Sequence, residues 1–147
     1  MRKNAATNAV TRVMVFGCFD PLHRGHENFF SQARRAGGRN AFLIAVVARD
    51  ANVLLKKGQR PNAGESKRLK AVKDSRSVDS AVLGGKQDRF AVIRRLKPHV
   101  IALGYDQNAE FRLLLNACAK GFLKKIVRLK PFKPEIYKSS KIRASHG

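Results

Sequence analysis

Two histidines separated by two residues, His23 and His26, are the side chains in this chain best suited to chemistry. They lie in the run GCFDPLHRGH, in which Gly17 and Gly25 let a ligand approach the backbone closely. An imidazole can donate a hydrogen bond to a phosphate oxygen as charge builds up in a transition state. Taken singly, each histidine would suit helix capping or a surface metal pair. The complete run favours a phosphate site.

The neighbouring elements predict where this run lies. Arg12–Phe16 is a short apolar run typical of a buried strand, and His26–Ala36 carries apolar residues at helical spacing. The histidines therefore begin a helix, whose unpaired N–H groups and dipole favour an anion. In open α/β sheets, ligands bind beyond the carboxyl ends of the strands, which is where this loop falls.

The rest of the chain continues the alternation of strand and helix. Apolar runs predict further strands at 41–48, 80–83, 100–103 and 125–129, and helical patterns occur at 65–72, 90–96 and 109–119. Residues 49–63 are polar and basic and contain Gly58 and Pro61, so a loop is predicted there. We expect an α/β fold: a single Rossmann-like domain over residues 12–147, with a five-stranded parallel sheet flanked by helices, after an N-terminal extension of residues 1–11.

Charge and composition narrow the classes of partner. The chain has 31 Lys and Arg against 10 Asp and Glu, a formal net charge of +21, which attracts phosphorylated molecules and nucleic acid alike. No apolar run has the length of a signal peptide or membrane span, so a cytoplasmic protein without membrane contact is expected. Cys18 and Cys118 lack metal-type spacing and are expected to be free thiols without a catalytic role.

The run GCFDPLHRGH matches the G-x-F-D-x-x-H-x-G-H signature of the cytidylyltransferase-like nucleotidyltransferase superfamily, which the chain resembles from about Arg12 to Arg143. The basic stretch KKGQRP at 56–61 and the pattern Glu65-x-x-Arg68 are similar to later motifs of that family. KSSKIR at 138–143 is similar to its Ser/Thr-rich phosphate-binding motif, and serines that cap a helix beside basic residues suit a phosphate. The lead PNAG at 61–64 departs from the family pattern.

The resemblance implies roles for the matching residues. His23 and His26 would act on the triphosphate, Lys57 would lie beside the phosphates, and the serines with Arg143 would hold the leaving pyrophosphate. The predicted catalytic residues are His23, His26, Lys57 and Arg68. The predicted nucleotide-binding residues are Gly17, Cys18, Phe19, Asp20, Gly25, Gly104, Tyr105, Asp106, Ser139, Ser140 and Arg143.

The loop GYDQ at 104–107 is similar to that of archaeal-type FAD synthases, which transfer AMP from ATP to FMN. A tyrosine–aspartate turn in which Asp106 caps the next helix is the structural alternative. Glycerol-3-phosphate cytidylyltransferases typically carry a tryptophan in this loop, and this chain has none. A sugar-phosphate (heptose) adenylyltransferase is a further alternative. No carboxylate cluster is visible, so we expect Mg²⁺ held chiefly by substrate phosphates, while Asp20 fixes its loop by bonding to backbone.

Two other classes compete with an enzyme. The net charge would suit a basic nucleic-acid-binding protein on a Rossmann-like scaffold, although no standard nucleic-acid motif is present. The third class is a nucleotide sensor without activity. The presence of both histidines and of the KSSKIR segment disfavours it. An enzyme with this charge is also expected to bind nucleic acid incidentally. Because relatives are commonly dimers, a homodimer is the expected assembly.

Overall fold

The computed structural model describes residues 9–88, 90–104, 112–113, 115–116 and 119–131. Its strands are β1 (Thr11–Gly17), β2 (Ala41–Val47), β3 (Ser80–Leu83), β4 (Val100–Leu103) and β5 (Lys125–Arg128). Its helices are α1 (Arg24–Gly37), α2 (Asp50–Lys57), α3 (Glu65–Asp74) and α4 (Ala91–Leu96).

All five strands are parallel and form one sheet in the order β3-β2-β1-β4-β5. The central strand β1 pairs with β2 from Thr11↔Ala41 to Gly17↔Val47, and with β4 at Met14↔Ile101. The chain thus builds outward from β1 in one direction and then, starting at β4, in the other. The predicted α/β fold with a five-stranded parallel sheet is confirmed.

Alternating residues of the strands divide the core between the two faces of the sheet. Val13 and Val15 pack in one buried cluster with Phe30 of α1, while Met14 packs in a second cluster with Ile93 of α4. Because helices cover both faces, β2 and β4 are apolar along their whole length rather than at alternate positions. This is why β2 and β4 could be located from continuous apolar runs.

The prediction of a loop throughout residues 49–63 is wrong, because α2 occupies Asp50–Lys57. Its ends carry ordinary helix signals: Asp50 in the first turn, Lys56 and Lys57 in the last, and Gly58 as a left-handed C-cap at φ 78°. Only Val53 is buried, so the helix offers no apolar stripe to reveal it. The predicted helix at 109–119 lies largely outside the described residues. Within this range, residues 112, 113, 115 and 116 are described and are helical.

No helix within the described ranges is long and apolar enough to cross a membrane. The division between an extension of residues 1–11 and a domain of residues 12–147 stays a prediction.

Candidate phosphate-binding site

The histidine-bearing loop lies at the carboxyl edge of the sheet, beside the point where the strand order reverses. It follows the central strand β1, whose neighbour β4 ends at Leu103 and is followed by Gly104. After β1 the chain packs on one face of the sheet through Phe30 of α1, and after β4 it packs on the other face through Leu115. In open α/β sheets, ligands bind at such a point of reversal. The elements therefore bring the predicted phosphate loop to the usual ligand edge of this fold class.

Both histidines cap α1. The Nδ1 atom of His23, the N-cap residue, accepts a hydrogen bond from the Gly25 amide at 3.1 Å. The Nδ1 atom of His26 accepts one from the His23 amide at 3.2 Å, and together they form a capping box built from two imidazoles. The capping role considered as a structural alternative is therefore real. Both capping bonds are accepted at Nδ1, so Nε2 takes no part in the capping.

The capping bonds assign the tautomer of each imidazole. Because each Nδ1 accepts a hydrogen bond, the proton of the neutral ring is on Nε2, which is then a donor. The two rings are stacked, with centroids 3.9 Å apart and an interplanar angle of 29°. The pair therefore presents Nε2–H donors from two rings that lie face to face.

Burial keeps this pair uncharged. It lowers the pKa of His26 to about 3, with the neighbouring His23 as a second cause, and it also lowers the pKa of His23. At neutral pH both rings are therefore hydrogen-bond donors without a net charge. A transition state that gains negative charge on a phosphate oxygen would be stabilised by such fixed dipoles, which need no reorganisation.

Asp20 ties the histidine-bearing loop to the segment that precedes α3. The side chain is 2% exposed, and its two oxygens accept hydrogen bonds from the amides of Asn62 at 2.6 Å and Ala63 at 3.1 Å. The expectation that Asp20 fixes the loop through backbone bonds is confirmed. Its partners could not be found from sequence, because they lie more than forty residues away along the chain.

Arg68, predicted as catalytic, is only 1% exposed, and each of its guanidinium nitrogens donates a hydrogen bond within the protein. Nε donates to the Ala63 carbonyl at 2.8 Å, Nη1 to the Cys18 carbonyl at 2.9 Å, and Nη2 to the Asp50 carboxylate at 2.7 Å. These bonds join the loop after β1, the start of α2 and the lead into α3. The geometry favours positioning of the histidine-bearing loop over direct contact with a substrate.

The backbone of Ala63 lies between the buried side chains of Asp20 and Arg68. Its N–H donates to Asp20 and its carbonyl accepts from Arg68, so the backbone of one residue is held through both of its peptide groups. We call the group of Asp20, Arg68 and the backbone of Asn62 and Ala63 the loop clasp. It supplies hydrogen-bond partners to two buried ionic groups through the same short stretch of backbone.

A second set of ionic contacts surrounds the loop clasp. Glu65 accepts from the Asp50 amide at 2.8 Å and from Arg49 at 3.1 Å, while Arg49 also donates to the Gly84 carbonyl at 2.7 Å. The hydrogen bond from Arg68 lowers the pKa of Asp50, and the bond from the Asp50 amide lowers the pKa of Glu65. The loops after β2 and β3 are thereby joined to the histidine-bearing loop. Arg49 and Asp50 were not found from sequence, because residues 49–63 were interpreted as a loop.

Gln32 fixes the chain where it leaves β5. Its amide nitrogen donates to the Lys130 carbonyl and its oxygen accepts from the Lys130 amide, both at 2.9 Å. The nitrogen also donates to Asn28 at 2.7 Å, within α1. The helix that begins at the histidine pair therefore also holds the backbone that leads into residues 132–147. No pattern in the sequence marks this glutamine.

Of nine further residues predicted to belong to the site, the structure describes four. Lys57 is exposed at the last residue of α2, and Gly25 lies in the first turn of α1. Cys18 is partly exposed and in no disulfide, and Gly104 follows β4 with its carbonyl accepting a hydrogen bond from Arg128 at 3.0 Å. The other five lie outside the part of the chain that the structure describes: Tyr105, Asp106, Ser139, Ser140 and Arg143.

Comparison with known proteins gives a consistent picture. The model of a family described as cytidylyltransferase-like matches residues 14–145. FAD synthases of Methanothermobacter marburgensis and Methanothrix thermoacetophila are 44% and 40% identical over 98 and 126 residues, which are 67% and 85% of this chain. The match covers 60% of the length of the first relative and 85% of the second. It covers 62% of the length of the FAD synthase of Methanothermobacter thermautotrophicus.

Two solved structures are also similar. A lipopolysaccharide core biosynthesis protein from Thermoplasma volcanium is 34% identical with a TM-score of 0.74, and the match covers 85% of this chain and all of that one. A protein with unknown function from Archaeoglobus fulgidus is 20% identical with a TM-score of 0.63, over 82% and 90% of the two chains, which shows the fold alone.

Proposed function

The chain belongs to the cytidylyltransferase-like family, and from this membership we propose that it is an FAD synthase, transferring AMP from ATP to FMN. An oxygen of the FMN phosphate attacks the α-phosphorus of ATP in line. The bond from that phosphorus to the β-phosphate oxygen breaks, and pyrophosphate leaves. Because the acceptor phosphate is already ionised at neutral pH, the reaction needs no general base.

The observation that carries the proposal is the neutral histidine pair at the start of α1. Each ring is fixed through Nδ1, and the low pKa of His26 keeps its Nε2–H a donor throughout the physiological range. Two such donors beside a helix N-terminus suit the triphosphate, where negative charge moves from the α-phosphate onto the leaving pyrophosphate. Lys57 and, from the part of the chain outside the described residues, Ser139, Ser140 and Arg143 are proposed to contact the phosphates.

Mg²⁺ is proposed to enter with the nucleotide. Among the described residues no group of three or more His, Cys, Asp or Glu could hold a metal, and both Asp20 oxygens already accept backbone hydrogen bonds. A hard ion of this kind is commonly held by phosphate oxygens and water, which fits this set of side chains. When bound, it would offset charge on the phosphates.

The acceptor and donor are proposals that rest on the names of the relatives. The absence of tryptophan speaks against a glycerol-3-phosphate cytidylyltransferase, and heptose phosphate adenylylation is the remaining enzymatic alternative. A homodimer, a cytoplasmic location and incidental binding of nucleic acid through the net charge of +21 stay predictions.

The test is pyrophosphate release with Mg²⁺, pairing ATP or CTP with FMN, glycerol 3-phosphate or heptose 1-phosphate, with FAD identified by chromatography. Turnover with ATP and FMN alone is expected. Turnover with another pair would keep the reaction type and replace the substrates, whereas no turnover with any pair would contradict the proposal.

A variant pair connects turnover to the histidines. His26→Ala is expected to lower kcat by about 100-fold or more while the KM for ATP changes little, since the donor acts mainly in the transition state. His99→Ala is the matched control: its ring also accepts a backbone hydrogen bond, from Arg12 at 3.0 Å, but at the amino end of β1. Equal losses in the two variants, or equal losses of kcat and ATP binding in His26→Ala, would contradict the role of His26.

A further inference from the structure

We propose that Phe19, seated over Gly17, is a positioning residue that fixes the imidazole of His26. The proposal rests on the proposed function only for its effect on turnover. The contact itself is a property of the folded protein. Its elements are an unusual backbone conformation, a glycine without which the ring would not fit, and a ring contact to a side chain of the site.

The backbone at Phe19 is in the left-handed region, with φ 55°. Few residues other than glycine adopt it, because Cβ approaches the backbone, so a large aromatic residue there needs compensating contacts. The ring provides them: Phe19 is 3% exposed and belongs to the same buried cluster as Phe30, with the two ring centroids 5.5 Å apart. The turn thus directs an aromatic side chain inward, beneath the histidine-bearing loop.

Gly17 makes room for that ring. A Cβ atom at Gly17 would lie 2.7 Å from Cζ and 2.9 Å from Cε1 of Phe19, closer than real Cβ contacts allow. Gly17 does not adopt a positive φ, so its own backbone would accept another residue. The glycine is therefore required by the position of the Phe19 ring. This differs from the sequence interpretation, in which Gly17 let a ligand approach.

The ring of Phe19 meets His26 in a T-shaped contact, with centroids 5.2 Å apart and planes at 71°. His26 is also stacked on His23 and accepts the capping bond at Nδ1. Three contacts of different kinds thus restrain one imidazole, and none of them uses its Nε2–H. A displacement of about 1 Å at such a group can cost up to about 100-fold in rate, so a fixed ring matters to turnover.

The burial of Phe19 separates this role from stacking on a nucleotide base. A ring that is 3% exposed and surrounded by the core offers little surface to a ligand. The predicted place of Phe19 among the nucleotide-binding residues is therefore better explained through His26 than through direct contact.

The first experiment compares Phe19→Leu with Phe30→Leu. Both positions are buried in one cluster, and Phe30 packs against the rings of Phe19 and Phe29. Phe19→Leu is expected to lower kcat about tenfold with the KM for ATP within about twofold, whereas Phe30→Leu keeps kcat within about twofold at a similar loss of Tm. Equal effects on kcat in the two variants would overturn the proposal.

A second readout does not depend on turnover. NMR of the imidazole protons should show a shift of the His26 signals in Phe19→Leu, because the ring current of Phe19 is removed, and a smaller one in Phe30→Leu. If no acceptor is turned over, these spectra still test the contact while the proposed function fails on its own. Unchanged His26 signals in Phe19→Leu would overturn the positioning role.

A double-mutant cycle tests the Gly17 contact. Gly17→Ala is expected to lower Tm by about 5 °C in the presence of Phe19, as overpacking does, and by clearly less in a Phe19→Leu background. The two substitutions should thus be coupled. Strictly additive losses of Tm would show that Gly17 is not required by the ring.

Discussion

The low pKa of His26 makes the free energy of unfolding depend on pH in a predictable window. Its folded-state pKa is about 3 and its ordinary value is 6.5, so between these values the unfolded chain binds the proton and the folded chain does not. Stability from the neutral ring is complete above pH 6.5 and is lost as pH falls toward 3. With about 1.4 kcal/mol per unit of pKa shift, lowering the pH from 7.5 to 5.0 should cost about 2 kcal/mol from this residue.

Urea unfolding at pH 7.5, 6.5, 5.5 and 5.0 measures this cost in the wild type and in His26→Gln. Glutamine at this third helical position can still accept the hydrogen bond of the capping box, but it does not titrate. The range stops above the pKa values of Asp50 and Glu65, which lie below 3.8 and 4.5, so their titration does not enter. The wild type should lose about 2 kcal/mol more than the variant over this range.

Parallel losses in the two proteins would refute the reasoning. His26 would then be protonated in the folded state near its ordinary pKa. The interpretation of the pair as neutral Nε2–H donors would fail with it. A smaller difference of the expected sign would mean that burial of the ring is weaker than the structure indicates.

Three further substitutions test the contacts around the site. Arg68→Lys should lower the free energy of unfolding by about 2–4 kcal/mol in urea, since a lysine cannot satisfy three divergent acceptors; a loss below about 0.5 kcal/mol would contradict the buried network. Asp20→Asn should cost about 1.5–3 kcal/mol by the same measurement, and Asp74→Asn, at an exposed ion pair, almost nothing. Gln32→Ala should speed hydrogen exchange of the Lys130 amide, because the substitution removes its acceptor. An exchange rate equal to that of the wild type would contradict this contact.

Sequence patterns located the sheet well because each strand contains a short apolar run. They missed α2, whose single buried residue, Val53, gives no helical stripe. The histidine pair could be found because capping and phosphate binding both depend on residues close together in the chain. The partners of Arg68 could not, since its bonds to Cys18 and Asp50 span 50 and 18 residues and depend on how the loops pack.

Asp20 and Arg68 bind residues 62 and 63 through main-chain atoms only. These atoms are the N–H groups of both residues and the carbonyl of Ala63. Any residue other than proline supplies these groups, so the side chains of Asn62 and Ala63 carry no information for the clasp. This explains how the lead PNAG can depart from the family pattern without loosening the loop beneath the histidines. The position of the loop therefore depends on the side chains of Asp20 and Arg68, and only on the backbone of the segment that they hold.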